Sequence, residues 1–184
     1  MGRKETKLGR KEQEILEQFK EKWGMNIYDK QRNDFAIKTW VGTTCRVLAH
    51  MAERFGWNEV NEALKDFWRK RAEERMKYNV ERVTKKGEPR DCVTLAEMLV
   101  SNKAAVADYE FLEITPKRLH LRIRNCDEAE VLRDTGLIGR LWWPCTQFWR
   151  RAYAEAFNPK IKYANLKAEC EGDEYCEEIW EMEG

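Results

Sequence analysis

Near the end of the chain, Cys170 and Cys176 stand on either side of a short acidic turn in the run AECEGDEYCEEIW. Thiols so placed can emerge together from the tip of a hairpin, where they can hold a metal ion or cluster or pack as small apolar groups. Two thiolates do not complete a tetrahedral site, so further ligands are expected from other elements. Cys145 stands at the start of an expected helix, where free backbone N–H groups and the helix dipole favour a thiolate. Cys126 ends the preceding expected hairpin. Cys126, Cys145, Cys170 and Cys176 form a four-thiolate set suited to zinc or an iron–sulfur cluster, with buried, metal-free thiols as the competing reading. Cys45, beside the apolar stripe of its helix, and Cys92, in a cap region, read as small hydrophobes.

Alternation sorts the strands around this turn into faces. Pairing Cys170 with Cys176 would also pair Leu166 with Trp180 and Ala164 with Met182, all on an apolar face, and would send Lys167, Glu169, Glu177 and Glu181 outward. In that register Glu178 is the one carboxylate on the apolar face. Buried near the thiols it would act as a general base; at the rim it would be solvated. Trp142, Trp143 and Trp149 flank Cys145 and are candidates to line a pocket for a flat ligand, or else to fill the core. His50, expected near the buried side of its helix, and His120, on the polar face of a strand, read as packed or solvated histidines. Neither has a glutamate three residues before it, which argues against a di-iron bundle. The sequence holds no GxSxG, HExxH, P-loop or GxGxxG run, so serine hydrolase, zincin and nucleotide-binding chemistry lack support.

Composition narrows the field further. The 184 residues carry 34 Lys and Arg against 33 Asp and Glu, so no global field draws the chain to nucleic acid. The Arg69-Lys70-Arg71 run alternates with acidic residues and reads as a solvated helix face. No stretch approaches the ~18 apolar residues of a membrane span, and MGRKETKLGRKEQ has no apolar signal core, so a cytoplasmic protein is expected. Six cysteines in a reducing compartment argue against a disulfide framework, and eight tryptophans can wall off an apolar cavity or fill a dense core.

The elements that must position these residues follow from periodicity. Ile15, Phe19 and Trp23 recur at helical spacing. A second helix is expected after Asp34, with Ile37, Val41, Thr44, Leu48, Met51 and Phe55 as one stripe ending at Gly56. A long third helix carries Val60, Leu64, Trp68, Ala72, Met76, Val80 and Val83 on one face, and Lys85-Lys86 precede Gly87. Thr94 and Glu97 announce a fourth helix through capping-box spacing. The period then changes: Leu119, Leu121 and Ile123 alternate with polar residues, which predicts a hairpin over 109–125. A short helix over 127–134, a helix over 143–157 with Pro144 in its first turn, and strands over 161–170 and 175–183 complete the chain. The fold class is therefore α+β, a helical N-terminal half packed with a C-terminal antiparallel sheet in the order strand-strand-helix-strand-strand. The seam lies at 85–91, dividing a helical region 1–87 from an α+β region 88–184, as two domains or as parts of one.

The run PCTQFWRRAYAEAFNPKIKYANLKAECEGDEYCEEIWEME resembles the C-terminal signature of L-2-amino-thiazoline-4-carboxylate hydrolase-like proteins and, more distantly, that of the 4-vinyl reductase domain. The matching positions are Cys145, Asn158, Pro159, Cys170, Gly172, Asp173 and Cys176, within roughly residues 118–183. The resemblance implies an α+β domain with its cysteines gathered at one site and a pocket for a small organic molecule. Its hydrolase-like members imply metal-assisted opening of a cyclic amidine; its reductase-like members imply a small-ligand binder.

Two readings follow. In the first, Cys145, Cys170 and Cys176 hold an ion whose open position activates water for hydrolysis of a small cyclic amidine or thiazoline. In the second, Cys126 completes a closed zinc or iron–sulfur site in a non-catalytic domain that binds a small molecule. Both expect a small-molecule partner, with no nucleic acid and no membrane, and both leave the oligomeric state open.

Overall fold

The computed structural model describes residues 13–15, 17, 18, 21, 30–103, 107–143 and 148–183. Helix α1 runs Lys30–Phe55 and α2 Trp57–Lys86, with Gly56 at φ 92° making the tight break between them. Helix α1 already includes Lys30, four residues before Asp34, so it does not wait for Asp34 as the sequence suggested. Helix α2 ends where Gly87 adopts the left-handed conformation and its N–H returns to the Thr84 carbonyl, with Lys85 and Lys86 in the last turn as expected. Helix α3 spans Cys92–Lys103. Its cap is Asp91, whose carboxylate accepts the Thr94 N–H at 2.9 Å, so the helix starts before the Thr94–Glu97 pair taken from the sequence as its signal.

Strands β1 (Asp108–Ile114) and β2 (Arg118–Arg124) form the expected hairpin, with a bulge between Phe111 and Glu113. Helix α4 is Asp127–Asp134 and α5 is Phe148–Phe157; strands β3 (Ile161–Lys167) and β4 (Cys176–Met182) follow. The sheet is antiparallel with order β1-β2-β4-β3, so β4 is central. The fold is thus α+β, helices against a four-stranded antiparallel sheet. No helix among the described residues is long and apolar enough to cross a membrane.

Two buried clusters hold the layers together. In the first, Met76 and Val83 of α2 meet Leu95 and Leu99 of α3, Phe157 of α5 and Trp180 of β4. In the second, Val41 and Cys45 of α1 meet Leu132 of α4, Trp143, Cys170 and Cys176. Helix α2 lies along α5, and α1 lies on α4.

Three details differ from the sequence reading. First, β3 stops at Lys167, and Cys170 lies in a short 3-10 turn, Glu169–Glu171. Asp173 turns back to accept the Ala168 N–H at 2.8 Å, and Gly172 sits at φ 108°, so local bonds satisfy the backbone where the ladder was expected to continue. Second, β3 pairs Tyr163 with Trp180 and Ile161 with Met182, so the expected Cys170–Cys176, Leu166–Trp180 and Ala164–Met182 pairs do not form. An odd slip inverts the faces of β3: Ile161 and Tyr163 are inward and Leu166 is 53% exposed, because isoleucine and tyrosine bury more apolar surface than alanine and leucine. Third, the buried face of α1 centres on Val41, Cys45 and Ala52, while Met51 and Phe55 of the expected stripe are exposed. Cys45 lies at the middle of that face instead of beside it.

Candidate functional site

Because side chains alternate along β4, its inward face presents Cys176, Glu178 and Trp180 in turn. Cys176 enters the second cluster and Trp180 the first, leaving Glu178 between them at 1% exposure. Helix α5 meets it there with Arg150, which shares the buried face with Tyr153, Ala154 and Phe157 by helical spacing. Arg150 Nε lies 3.6 Å from Glu178 Oε1, both side chains being 2% exposed. The guanidinium carbon is 5.8 Å from the ring centroids of both Trp149 and Trp180. Trp149 stacks on Tyr153 with centroids 4.3 Å apart, and the Tyr153 hydroxyl accepts the Asn79 amide N–H at 2.9 Å. The Trp180 indole N–H, fully buried, has no hydrogen-bond partner among the described residues. A polar line bordered by flat rings therefore crosses the interior between two apolar clusters. Replacing such a buried ion pair by apolar groups of equal volume is often neutral or stabilising, so its presence calls for a reason other than stability.

The thiol end of the sheet adjoins this line. Cys126 precedes α4 and donates its N–H to Glu169 Oε2 at 3.4 Å; the Glu169 N–H donates to Cys176 Sγ at 3.3 Å. Arg133 Nη2 is 3.6 Å from Glu169 Oε1. Burial pushes the Glu169 carboxyl above its ordinary value, against the opposing pull of the Cys126 N–H and Arg133. Cys126, Cys170 and Cys176 are buried in one cluster without a disulfide between them, and Cys145 lies outside the described residues. Among the described residues no group of three or more His, Cys, Asp or Glu side chains gathers as a metal site.

The structure separates the three candidate tryptophans. Trp143 is buried in the second cluster and donates its indole N–H to Glu128 at 2.9 Å. Trp149 packs against the first cluster, and Trp142 is 39% exposed beside Phe148. His50 is exposed and faces Glu53, correcting its expected place near the buried side of the helix. Cys45 and Cys92 are core thiols. Burial raises both, and Cys92, with Asp91 and Glu181 adding to the burial, is pushed up to about 12.

On the outer face of the sheet Glu177 joins His120 at 3.0 Å and Arg122 at 3.3 Å. Burial pushes its carboxyl up, but the bonds from His120 and Arg122 outweigh this and hold it below its ordinary value of 4.5. A carboxylate lowered in the folded state contributes stability that is complete above the ordinary value and is lost as pH falls through the lowered one. Glu177→Gln should therefore destabilise the protein near neutral pH and progressively less below about pH 4.5. Urea unfolding at several pH values checks this, and a constant gap between variant and wild type would refute it.

The arrangement of helices and sheet is found in another protein. The phenol-responsive sensory domain of the transcription activator PoxR, solved with phenol, superposes with a TM-score of 0.55 at 12% identity, over 77% of this chain and 74% of that one. The chain shares the fold of that domain. A trafficking protein particle complex subunit 3 from Naegleria fowleri, covalently bound to palmitic acid, matches with a TM-score of 0.49 at 13% identity, over 85% of this chain and 98% of that one. No protein-family model matches, and no curated protein matches. The more distant of the two sequence resemblances, to the 4-vinyl reductase domain, agrees with the fold of the first neighbour, while no match supports the hydrolase-like family.

The sequence reading did not single out Arg150 or Glu169. A signal for Arg150 was present: in FWRRAYAEAF it falls on the same helical face as Ala154 and Phe157, an arginine on an apolar stripe. No sequence signal marked Glu169, because its burial depends on the turn that replaces the end of the expected strand.

Proposed function

We propose that the chain is a small-molecule-binding domain whose ligand lies against the inner face of β4, beside the Arg150–Glu178 pair. The observation that carries this reading is that ion pair, buried between two apolar clusters and edged by Trp149, Tyr153 and Trp180. The shared fold supports it, since the neighbour is a sensory domain solved with phenol. The matching ligand class is a small aromatic ring bearing a hydroxyl or carboxyl head: rings stack on the aromatic side chains, and the head hydrogen-bonds to guanidinium and carboxylate.

The zinc or iron–sulfur site formed by Cys126, Cys145, Cys170 and Cys176 stands beside this as a proposal about stability. The soft donors suit either group, but the described residues do not form a converging set by themselves, so no step of ligand binding passes through a metal. Hydrolysis of a cyclic amidine rests on the resemblance alone, and Glu178 as its base rests on the parity of β4.

Tryptophan fluorescence titration with phenol and with benzoate tests the binding reading. Saturable quenching by at least one probe is expected in the wild type and should be lost in the folded Arg150→Met/Glu178→Leu double variant. A double variant that binds like the wild type, or a wild type that binds neither probe, would overturn it. Metal analysis of the wild type and of Cys145→Ser decides the thiolate proposal separately.

A further inference from the structure

Helix α1 carries a second apolar face that the other described residues leave uncovered. Val41, Cys45 and Ala52 are buried in the second cluster, yet Trp40 is 61%, Val47 54%, Met51 40% and Phe55 58% exposed. Trp40, Thr44, Val47 and Met51 follow one another at spacings of four, three and four, which is the alternation of a two-helix seam. A solvent-facing helix surface is ordinarily polar; this one presents Trp40, Val47, Met51 and Phe55 along one side, with only Thr44 between them. We propose that this face of α1 is where two copies of the chain pair, antiparallel, into a dimer.

The orientation follows from the charges. Arg54 ends the stripe, its guanidinium carbon 5.6 Å from the Phe55 ring centroid. Parallel pairing would set Arg54 against Arg54. Antiparallel pairing brings Arg54, Met51 and Phe55 of one copy to Trp40 of the other, where a cation meets the best aromatic acceptor. Complete burial of these four side chains would cover roughly 500 Å² per copy, or roughly 1,000 Å² in the pair, which reaches the smallest size of a specific interface. The chain's own N-terminal segment is the alternative cover. Ile15, its described apolar residue, packs instead against the cluster holding Met76 and Val83.

Sedimentation velocity of the full chain over a range of concentrations tests the proposal, with the variant Val47→Glu/Met51→Glu beside the wild type. A reversible dimer is expected, with a dissociation constant raised about 30-fold or more in the variant and the melting temperature of the dilute monomer unchanged. A wild type that stays monomeric, or a dimer that survives both glutamates, overturns it. So does a monomeric wild type whose variant melts lower, which would place another part of the same chain on the stripe.

Discussion

Replacing Arg150 by methionine should lower the unfolding free energy by about 3–5 kcal/mol, because it takes away the guanidinium that lies 3.6 Å from the buried Glu178 carboxylate. Glu178 is 1% exposed, so solvent cannot reach the stranded charge without opening the sheet. The double variant Arg150→Met/Glu178→Leu should recover most of that loss, since the pair itself contributes little net stability against apolar groups of similar size. Guanidinium unfolding of the two single variants and the double variant forms the cycle. If the double variant loses as much as the sum of the singles, the two side chains are uncoupled and the ion pair is not the organising contact of the interior. The same double variant is the folded control for the binding titration, so stability and ligand affinity are read on one protein.

Tyr163→Ala should cost about 3–5 kcal/mol, whereas Leu166→Ala should change stability by no more than about 0.5 kcal/mol. Tyr163 is 8% exposed with its ring centroid 5.1 Å from that of Trp180, while Leu166 points to solvent at 53% exposure. The contrast tests the register of β3 directly, because the opposite result would require the alternation in which Leu166 faces Trp180. Circular dichroism on both variants separates loss of packing from loss of fold.

The third helix shows what was legible. Its apolar stripe predicted a continuous helix through residue 83, and Val60, Ala72, Met76 and Val83 are buried along it, Val60 in the second cluster and the other three in the first, since one face of the helix supplies both. The β1–β2 hairpin was equally plain: a sheet with one face in the core and one in water prints its period into the chain, and β2 alternates buried and half-buried residues from end to end. Helix α1 was less legible because it has apolar residues on two faces. Periodicity detects that a face exists but does not say which of two adjacent faces the core takes. Strand β3 was ambiguous in the same way, with Ile161 and Tyr163 on one side and Ala164 and Leu166 on the other.

By itself the sequence determined the element types, their order and the α+β class, because these depend on period, caps and turn residues acting within a few positions of one another. It also marked Glu178 as a carboxylate on an apolar face, which needed only the parity of β4. The tertiary structure alone decided that Arg150 is its partner, that Glu169 turns inward at the thiol end, and that β3 pairs Tyr163 with Trp180. Those outcomes depend on residues distant in sequence competing for the same interior space. An ion pair between α5 and β4 forms only after α5 has docked on the sheet, and no spacing rule within either segment encodes the distance between them.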